Sequence, residues 1–398
     1  MVAMVDEFID ADEAVALLGV KHDTLYAYVS RGQIRSRHNP GGNRRRLYSL
    51  RDITELNRRK EIGRKPVDVA ASALNLGFPA LTSAISQVEN GRLVYRGQDA
   101  VELAQRATLE QAAALLWQCD VRLFDRPAPL IGPPDRAVYP GATIEERLRH
   151  DLPRLGPSVP IWQREAHSLI GTAIDMLRGA TALLTGCPAA TAPIHLQLAR
   201  AWDVPPEQAD LLRRALVLAA DHELSPATFC TRVIASTGAS LSACISGGLA
   251  AFGGPRHGGE IGMIEQLFAE AAASGHPERA IIDRLARGDR LPRFGLQMHE
   301  LGDPRALLLL AGLPADPLRD ALLHTMEAVL GKRPAFTFAL VAMRHALGLP
   351  DEAAQILFLC GRLTGWIAHV LEQNGDQNLI RPRARYSGEP PPETGATA

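Results

Sequence analysis

The sequence has few cysteines, no recognisable metal-ligand spacing and almost no net charge. Its 398 residues include five cysteines, and none of them forms a Cys-x-x-Cys pair or lies at the Cys/His spacing of a zinc site. Scattered cysteines in odd number are typical of reduced thiols in a cytoplasmic protein. The net charge of −1 excludes a chain that coats nucleic acid through an overall positive charge. We therefore expect no metal site.

Signals for export and membrane insertion are also lacking. Asp6, Glu7 and Asp10 lie where a signal peptide needs a positive start and an apolar core. No run approaches the roughly 20 apolar residues of a membrane span. With 46% apolar residues, the chain can bury one large core or two smaller ones. The composition predicts a cytoplasmic globular protein that does not bind membranes.

The first 66 residues predict a small helix-turn-helix module. A helix over 10–18 begins with a capping-box signal and ends at Gly19, and a second helix over 22–30 follows. Residues 35–48 predict a hairpin with a Pro-Gly-Gly-Asn tip, and residues 50–62 a third helix. This order resembles the winged helix-turn-helix of MerR-type and excisionase-type DNA-binding proteins.

A local excess of positive charge accompanies this module. Between Arg31 and Lys65 there are twelve basic residues and three acidic ones, which suits phosphate contacts. The resemblance implies that the second helix lies at a major groove and that the wing contacts the DNA backbone. The predicted DNA-binding residues are Thr24, Tyr26, Tyr28, Arg44, Arg45 and Arg46. The alternative is a solvated basic face, or a module that serves only dimer contacts.

Residues 67–220 predict a helical scaffold without chemistry of its own. Prolines are dense between residues 125 and 160, which favours a surface loop. Long helical periods and few alternating strands indicate an all-α architecture. The predicted helices cover 103–119, 144–152, 166–184, 192–202 and 206–220.

The chemistry is expected around residues 221–260. Many small side chains between Arg232 and Leu249 allow two helices to approach closely. His222 and His257 bracket this stretch beside residues that end helices, so both imidazoles can face one cleft. A lone histidine is more often structural, but several further motifs follow in a fixed order. They are Leu93-Val94-Tyr95-Arg96-Gly97, Asp221-His222-Glu223, Gly254-Pro255-Arg256-His257-Gly258-Gly259, Asp303-Pro304-Arg305, Gly361-Arg362-Leu363-Thr364-Gly365-Trp366-Ile367-Ala368-His369 and Ile380-Arg381-Pro382-Arg383.

In order and spacing these motifs resemble the citrate synthase family over roughly residues 75–388. The resemblance implies a mainly α homodimer in the citrate-synthase fold. It implies a large domain over 67–258 and 347–388, a small CoA-side domain over 259–346, and a disordered tail over 389–398. An acyl-CoA would be a co-substrate or ligand, with no bound cofactor.

The family joins an acyl-CoA to a 2-oxo acid such as oxaloacetate, and the resemblance implies roles for individual residues. His257 takes the enol-binding position and His222 orients the substrate. The arginines that would bind carboxylates are Arg305, Arg362 and Arg381, the last supplied by the other subunit of the dimer.

The proton-transfer residues of the family do not match. Leu296 occupies the position of the second histidine, which acts as the acid, and Thr337 that of the aspartate base. His299 is a possible substitute acid, and Glu300 is the nearest carboxylate in sequence. Two functions stay open: a family enzyme with weak or altered condensation, or a catalytically degenerate regulator that senses a di- or tricarboxylate or an acyl-CoA and binds double-stranded DNA.

Overall fold

The computed structural model consists of two units, Met1–Thr82 with Pro382–Ala398, and Ser83–Arg381. The residues that it describes are 8–38, 46–54, 56, 80–131, 141–156, 159–163, 166–292, 298–299, 302–331, 333–376, 378–384 and 386–389. The predicted boundary at residue 66 lies outside these residues, and so does the predicted disordered tail after residue 389. The large and small domains stay predictions, since residues 83–381 form a single unit by their contacts.

The N-terminal unit contains the two predicted helices and three short strands. They are β1 (Phe8–Ile9), α1 (Ala11–Leu18), α2 (His22–Ser30), β2 (Ser36–His38) and β3 (Arg46–Ser49), and residues 50–54 are helical. The strands form an antiparallel sheet in the order β1-β3-β2. Asp10 and Glu13 form the predicted capping box of α1, and Gly19 ends the helix at a φ of 59°. The hairpin tip lies outside the described residues.

The second unit is mainly helical. A three-stranded antiparallel sheet opens it, with β4 (Ser86–Glu89), β5 (Arg92–Tyr95) and β6 (Gln98–Asp99). The helices are α3 (Ala100–Arg106), α4 (Leu109–Trp117), α5 (Ile144–Asp151), α6 (Ala166–Thr185), α7 (Ile194–Ala201), α8 (Ala209–Ala219), α9 (Pro226–Ser236), α10 (Leu241–Phe252), α11 (Glu260–Ser274), α12 (Pro277–Arg287), α13 (Pro304–Ala311), α14 (Pro317–Leu330), α15 (Phe336–Ala346) and α16 (Ala353–Gly375). The predicted fold class is thereby confirmed.

The single helix predicted over 103–119 is wrong, because the chain forms α3 and α4 there. Ala107 adopts an extended conformation and ends α3. Thr108 then accepts a hydrogen bond from the Gln111 N–H, and the Gln111 side chain accepts from the Thr108 N–H. This capping box satisfies backbone donors that a continuous helix would have satisfied internally. The capping signal was visible in the sequence and marks the start of a helix.

Helix α16 runs through the core and packs closely on α8. A Cβ atom at Gly361 would lie 2.5 Å from the Leu216 carbonyl oxygen, and one at Gly365 would lie 2.2 Å from the Ala220 carbonyl oxygen. Both positions therefore require glycine. Among the described residues, α16 alone is long and apolar enough to cross a membrane, but 89% of its most apolar window is buried inside this protein. These features are those of a core helix.

The predicted close helix pair is formed by α9 and α10. A Cβ atom at Gly247 would lie 2.0 Å from Ile234 Cδ1, and one at Gly248 would lie 2.4 Å from Thr231 Oγ1. The chain reverses between the two helices at Gly238, which has a φ of 78°. The pair places His222 before α9 and His257 after α10.

Candidate functional site

His222 lies in the turn between α8 and α9, which is held by a buried tyrosine. The Tyr95 hydroxyl lies 3.1 Å from the Asp221 carbonyl oxygen and 3.2 Å from the Val217 carbonyl oxygen. Glu223 adopts a φ of 51°, which is uncommon for a residue with a side chain. The Ser225 side chain then caps α9. The turn is therefore fixed on both sides of His222.

Asp221 is completely buried and belongs to a polar network. Its Oδ2 accepts hydrogen bonds from the Ser86 hydroxyl and, at 3.4 Å, from His369 Nε2. Arg232 can only donate, and it lies 3.4 Å from His369 Nδ1, so the proton of this imidazole is on Nε2. Burial raises the pKa of Asp221, but His369, Arg362 and Ser86 together outweigh burial, and the pKa ends below its usual value. The network keeps this carboxylate ionised.

The ring of His222 faces the ring of His299. Their Nε2 atoms lie 3.0 Å apart, and the ring planes are inclined by 55°. His299 Nδ1 lies 2.9 Å from the Gly91 carbonyl oxygen in the turn between β4 and β5. A carbonyl can only accept, so the His299 proton is on Nδ1 and its Nε2 accepts from His222. The structure therefore brings the predicted substitute residue to the predicted site.

Arg305 is the second predicted residue of the site, and it is paired within its own motif. Its Nε and NH2 atoms donate to the two carboxylate oxygens of Asp303 at 2.9 and 2.7 Å. Asp303 also accepts from the Phe336 backbone N–H at 3.2 Å. Burial raises the pKa of Asp303, but Arg305 outweighs it and the pKa falls below 3.8. Both side chains are buried and form a matched pair.

Arg362 is buried on α16, and its Nε donates to the Ala219 carbonyl at 2.8 Å. Burial lowers its pKa to about 10, against the opposing effect of Asp221. The pKa of His222 is lowered well below 6.5, first by burial and then by Arg305 and Arg362. His222 is thus a neutral imidazole near pH 7, within the field of two cations.

His257 lies after α10 and contacts an aromatic cluster that Arg362 also contacts. Its ring meets the Phe252 ring edge-on, with 5.5 Å between centroids. Phe252 stacks on Phe358 at 5.0 Å, and the Arg362 guanidinium lies 4.8 Å from the Phe358 centroid. A Cβ atom at Gly258 would lie 2.4 Å from the Phe252 ring, which explains the glycine after the histidine.

Two further residues predicted for the condensation site, Thr337 and Arg381, make none of the contacts described above. Thr337 lies half-buried in the first turn of α15. Arg381 is exposed after α16. Leu296 and Glu300 lie outside the described residues.

The described residues among those predicted to bind DNA are exposed or half-buried. Tyr26 is 52% exposed on α2, and Thr24 is half-buried beside it. Tyr28 is half-buried and packs against the core of the module. Arg46 is exposed on β3 and lies 3.4 Å from the Ser36 hydroxyl. Arg44 and Arg45 lie outside the described residues.

Sequence reasoning missed the residues that pair with Arg305 and with Asp221. Asp303 is part of a motif that was interpreted for its arginine, and His369 ends another motif. Ser86 carries no sequence signal, because its contact with Asp221 joins residues far apart in the chain. Among the described residues, no group of three or more metal-binding side chains comes together.

A family model described as "Citrate synthase, C-terminal domain" matches residues 161–383, which is more than half of the chain. The chain belongs to the citrate synthase family. Residues 10–62 of this citrate synthase family protein match a second model, described as "MerR HTH family regulatory protein". Both resemblances stated from the sequence are thereby confirmed.

Several curated proteins are similar to this citrate synthase family member. Citrate synthase 2 of Bacillus subtilis (strain 168) is 26% identical over 356 residues, which cover 78% of this chain and 94% of that protein. Citrate synthase of Haloferax volcanii is 33% identical over 194 residues, or 46% of this chain and 51% of that protein. The 2-methylcitrate synthase of Shewanella oneidensis is 30% identical over 187 residues, or 44% and 50%. The last two matches span about half the length of the relatives.

Solved structures show the same fold. The crystal structure of citrate synthase from Thermotoga maritima has a TM-score of 0.63 at 24% identity, with 79% of this chain and 94% of that chain covered. Citrate synthase from Thermoplasma acidophilum, solved as a ternary complex with carboxymethyl coenzyme A and oxaloacetate, has a TM-score of 0.59 at 21% identity, with 78% and 94% covered.

Proposed function

We propose that this protein binds a carboxylate or an acyl-CoA in its citrate-synthase-like pocket. It condenses an acyl-CoA with a 2-oxo acid weakly at most. Ligand binding changes the binding of its N-terminal module to DNA. Acyl-CoA would be a ligand or co-substrate, with no resident cofactor. The proposed state is a cytoplasmic homodimer, in which each Arg381 completes the pocket of the other subunit.

One observation carries the proposal: among the described residues, the carboxylates near His222 and Arg305 are Asp221 and Asp303, and both already accept hydrogen bonds. Thr337 holds the family's base position, and a neutral hydroxyl does not remove a weakly acidic proton near pH 7. Asp221 and Asp303 are both fully buried and already bonded to partners. Both oxygens of Asp303 are held by Arg305, and Asp221 is held through Oδ2, while its buried Oδ1 has no hydrogen-bond partner among the described residues.

The pocket nevertheless keeps groups that recognise anions. Arg305 and Arg362 are buried, and after burial itself their charges are the main causes that lower the pKa of His222. Guanidinium groups bind carboxylates through paired, charge-assisted hydrogen bonds. The relative from Thermoplasma acidophilum was solved with oxaloacetate and a CoA derivative. We extend these two ligand classes to this chain as part of the proposal.

The N-terminal module supports the DNA-binding half of the proposal. Tyr26 is exposed on α2 and Arg46 on β3, where a recognition helix and a wing would contact a duplex. A homodimer would present two such modules to two half-sites. Binding to a promoter fragment of its own operon should weaken steeply with salt and change when citrate is added. Binding that is absent at low salt would contradict this half.

Condensation is tested by CoA release from acetyl-CoA and oxaloacetate. We expect the parent to be at least about 1,000-fold slower than ordinary family members, because loss of a general acid or base costs about 10²- to 10⁴-fold. The Leu296→His plus Thr337→Asp variant should gain at least about tenfold. The matched control, Leu296→His plus Thr337→Asn, has the same shape without a base and should gain less. A parent rate near that of ordinary members would refute the proposal.

The second candidate is an active enzyme that uses His299 as its acid. The 3.0 Å contact between His299 and His222 favours it, since His299 does reach the site. Its proton, however, is on Nδ1 and bonds to Gly91, so Nε2 presents a lone pair. Burial lowers the pKa of His299, which disfavours the doubly protonated ring that could donate. Full activity that is lost in His299→Gln would establish this candidate.

A further inference from the structure

The exposed face of α2 carries an acidic residue that none of the predicted DNA contacts uses. Leu25 is completely buried, and Val29, one turn later, packs against the core of the module. Asp23, Tyr26 and Ser30 are exposed and follow one another at three and four positions, so they form one stripe that faces away from this core. Asp23 therefore lies on the same face of the helix as Tyr26.

The Asp23 carboxylate is not engaged in the fold of the module. Among the residues that the structure describes, no hydrogen bond or ion pair holds it, whereas the Asp12 carboxylate on α1 lies 3.2 Å from the His22 imidazole. An exposed acid on a surface that approaches DNA is repelled by the phosphates and weakens binding to every duplex. Its presence on this face has to be offset by a contact that only some duplexes offer.

The position of Asp23 in α2 is one that meets base edges. In a helix-turn-helix module the first residues of the second helix enter the major groove and contact the bases. Asp23 is the second residue of α2, and Tyr26 follows it by about one turn. The carboxylate is therefore directed at bases rather than at the phosphate backbone.

The chemistry of a carboxylate selects one base in that groove. Cytosine and adenine present an amino group there as a hydrogen-bond donor, whereas guanine and thymine present only acceptors. A carboxylate can only accept, so guanine and thymine repel it. Adenine places its N7 acceptor beside the amino group, where it repels the second carboxylate oxygen. Cytosine offers the donor without that acceptor and suits the carboxylate best.

We infer that Asp23 is a specificity-determining residue, which accepts a hydrogen bond from the amino group of one cytosine in each DNA half-site. This inference rests on the proposed function, because it requires that the module bind DNA. It defines the partner as duplex DNA with a C·G pair at a fixed position of each half-site.

The two electrostatic effects of Asp23 act together on specificity. Repulsion from the phosphates weakens binding to all duplexes alike, while the hydrogen bond to cytosine forms only at matching sites. The acid thus raises the ratio of specific to non-specific affinity. One mismatched base pair usually weakens binding by about 5- to 150-fold, and this is the range expected for the cytosine.

Selection of duplexes from a random library by the full chain identifies the preferred half-site, and affinities for its single-base variants measure the preference. Asp23→Asn keeps the length of the side chain but offers one donor and one acceptor, the pattern that matches adenine N6 and N7. Asp12→Asn is the matched control, because Asp12 is an exposed acid of the same module that lies on α1. It removes the same charge without changing the stripe on α2.

We expect the parent to select cytosine at one position of each half-site and to bind the other bases there about 5- to 150-fold more weakly. Asp23→Asn should select adenine at that position, and Asp12→Asn should keep cytosine. A role of Asp23 only at the positive end of the helix dipole predicts a lower melting temperature for Asp23→Asn with an unchanged base preference. Cytosine retained by Asp23→Asn, or no position fixed as cytosine in the parent, would overturn the inference.

A measurement on the parent covers the case in which Asp23→Asn does not fold. Replacing the selected cytosine by 2-pyrimidinone, which lacks the amino group, should weaken binding by the parent as much as a mismatched base does. Equal binding of the parent to the two duplexes would refute the contact. Absence of binding to any duplex at low salt would instead refute the DNA-binding half of the proposed function, and the inference with it.

Discussion

Replacing Asp303 by asparagine is the sharpest test of the charge balance in the pocket. Asp303 is completely buried, and its two oxygens hold Arg305 at 2.9 and 2.7 Å. The asparagine keeps the shape but leaves the guanidinium without a counter-charge and turns an NH₂ group toward it. Loss of one partner of a buried pair costs about 3 to 5 kcal/mol. We therefore expect Asp303→Asn to lower the free energy of unfolding by about this amount at pH 7.

The effect of Asp303→Asn on the free energy of unfolding should also depend on pH, because it depends on the charge of Asp303. The pKa of Asp303 lies below 3.8 in the folded protein because Arg305 outweighs burial, and in the unfolded chain it is about 3.9. A lowered folded pKa gives stability that is present above the unfolded value and is lost as the pH falls through the folded value. The difference in the free energy of unfolding between the parent and Asp303→Asn should thus be constant from about pH 8 to 5 and should become smaller below about pH 4.

Urea unfolding followed by tryptophan fluorescence and circular dichroism measures both effects. Asp289→Asn is the matched control, because Asp289 bonds to Arg287 at 2.7 Å but both side chains are about half exposed. Its loss should be at most about 1 kcal/mol. The buried ion pair of Asp303 and Arg305 would not stabilise the fold as described if Asp303→Asn lowered the free energy of unfolding no more than Asp289→Asn does. An effect of Asp303→Asn that stayed unchanged in acid would contradict it equally.

Three further changes test the fold and the DNA interface. Gly365→Ala places a Cβ atom against the Ala220 carbonyl and should cost about 1 to 3 kcal/mol in urea unfolding, and an unchanged midpoint would contradict the close packing. Thr108→Ala removes the cap of α4 and should cost about 0.5 to 2 kcal/mol, with Thr108→Ser near the parent as its check. Arg46→Ala should reduce the salt slope of DNA binding by about 1 without changing the melting temperature, and Tyr26→Ala should weaken binding at constant slope. If the salt dependence of DNA binding were the same in Arg46→Ala as in the parent, Arg46 would not contact the DNA.

Local signals in the sequence predicted much of the fold. The capping box at Asp10, the end of α1 at Gly19 and the close pair of α9 and α10 are confirmed, because each depends on neighbours in the chain or on residue size. The break between α3 and α4 was missed, although Thr108 carried the signal. Helical periodicity continued across Ala107 and concealed it.

The site was only partly predictable. Family motifs indicated His222, Arg305 and Arg362. In the structure the charges of the two arginines lower the pKa of His222. The contact between His299 and His222 was not predictable from spacing, since the two residues are 77 positions apart and meet through a turn that bonds to Gly91. Asp303 was interpreted as part of a motif for anion binding, whereas its carboxylate accepts hydrogen bonds from Arg305, the arginine of that motif.

A condensing enzyme needs a carboxylate that is near the substrate, ionised and free to take a proton. Asp221 and Asp303 are ionised, but the contacts that lower their pKa values also hold Asp221 Oδ2 and both oxygens of Asp303 in place. With Thr337 supplying no charge, positive and negative groups in the described pocket are matched before any ligand enters. This arrangement supports the proposed role in ligand recognition more than a role in turnover.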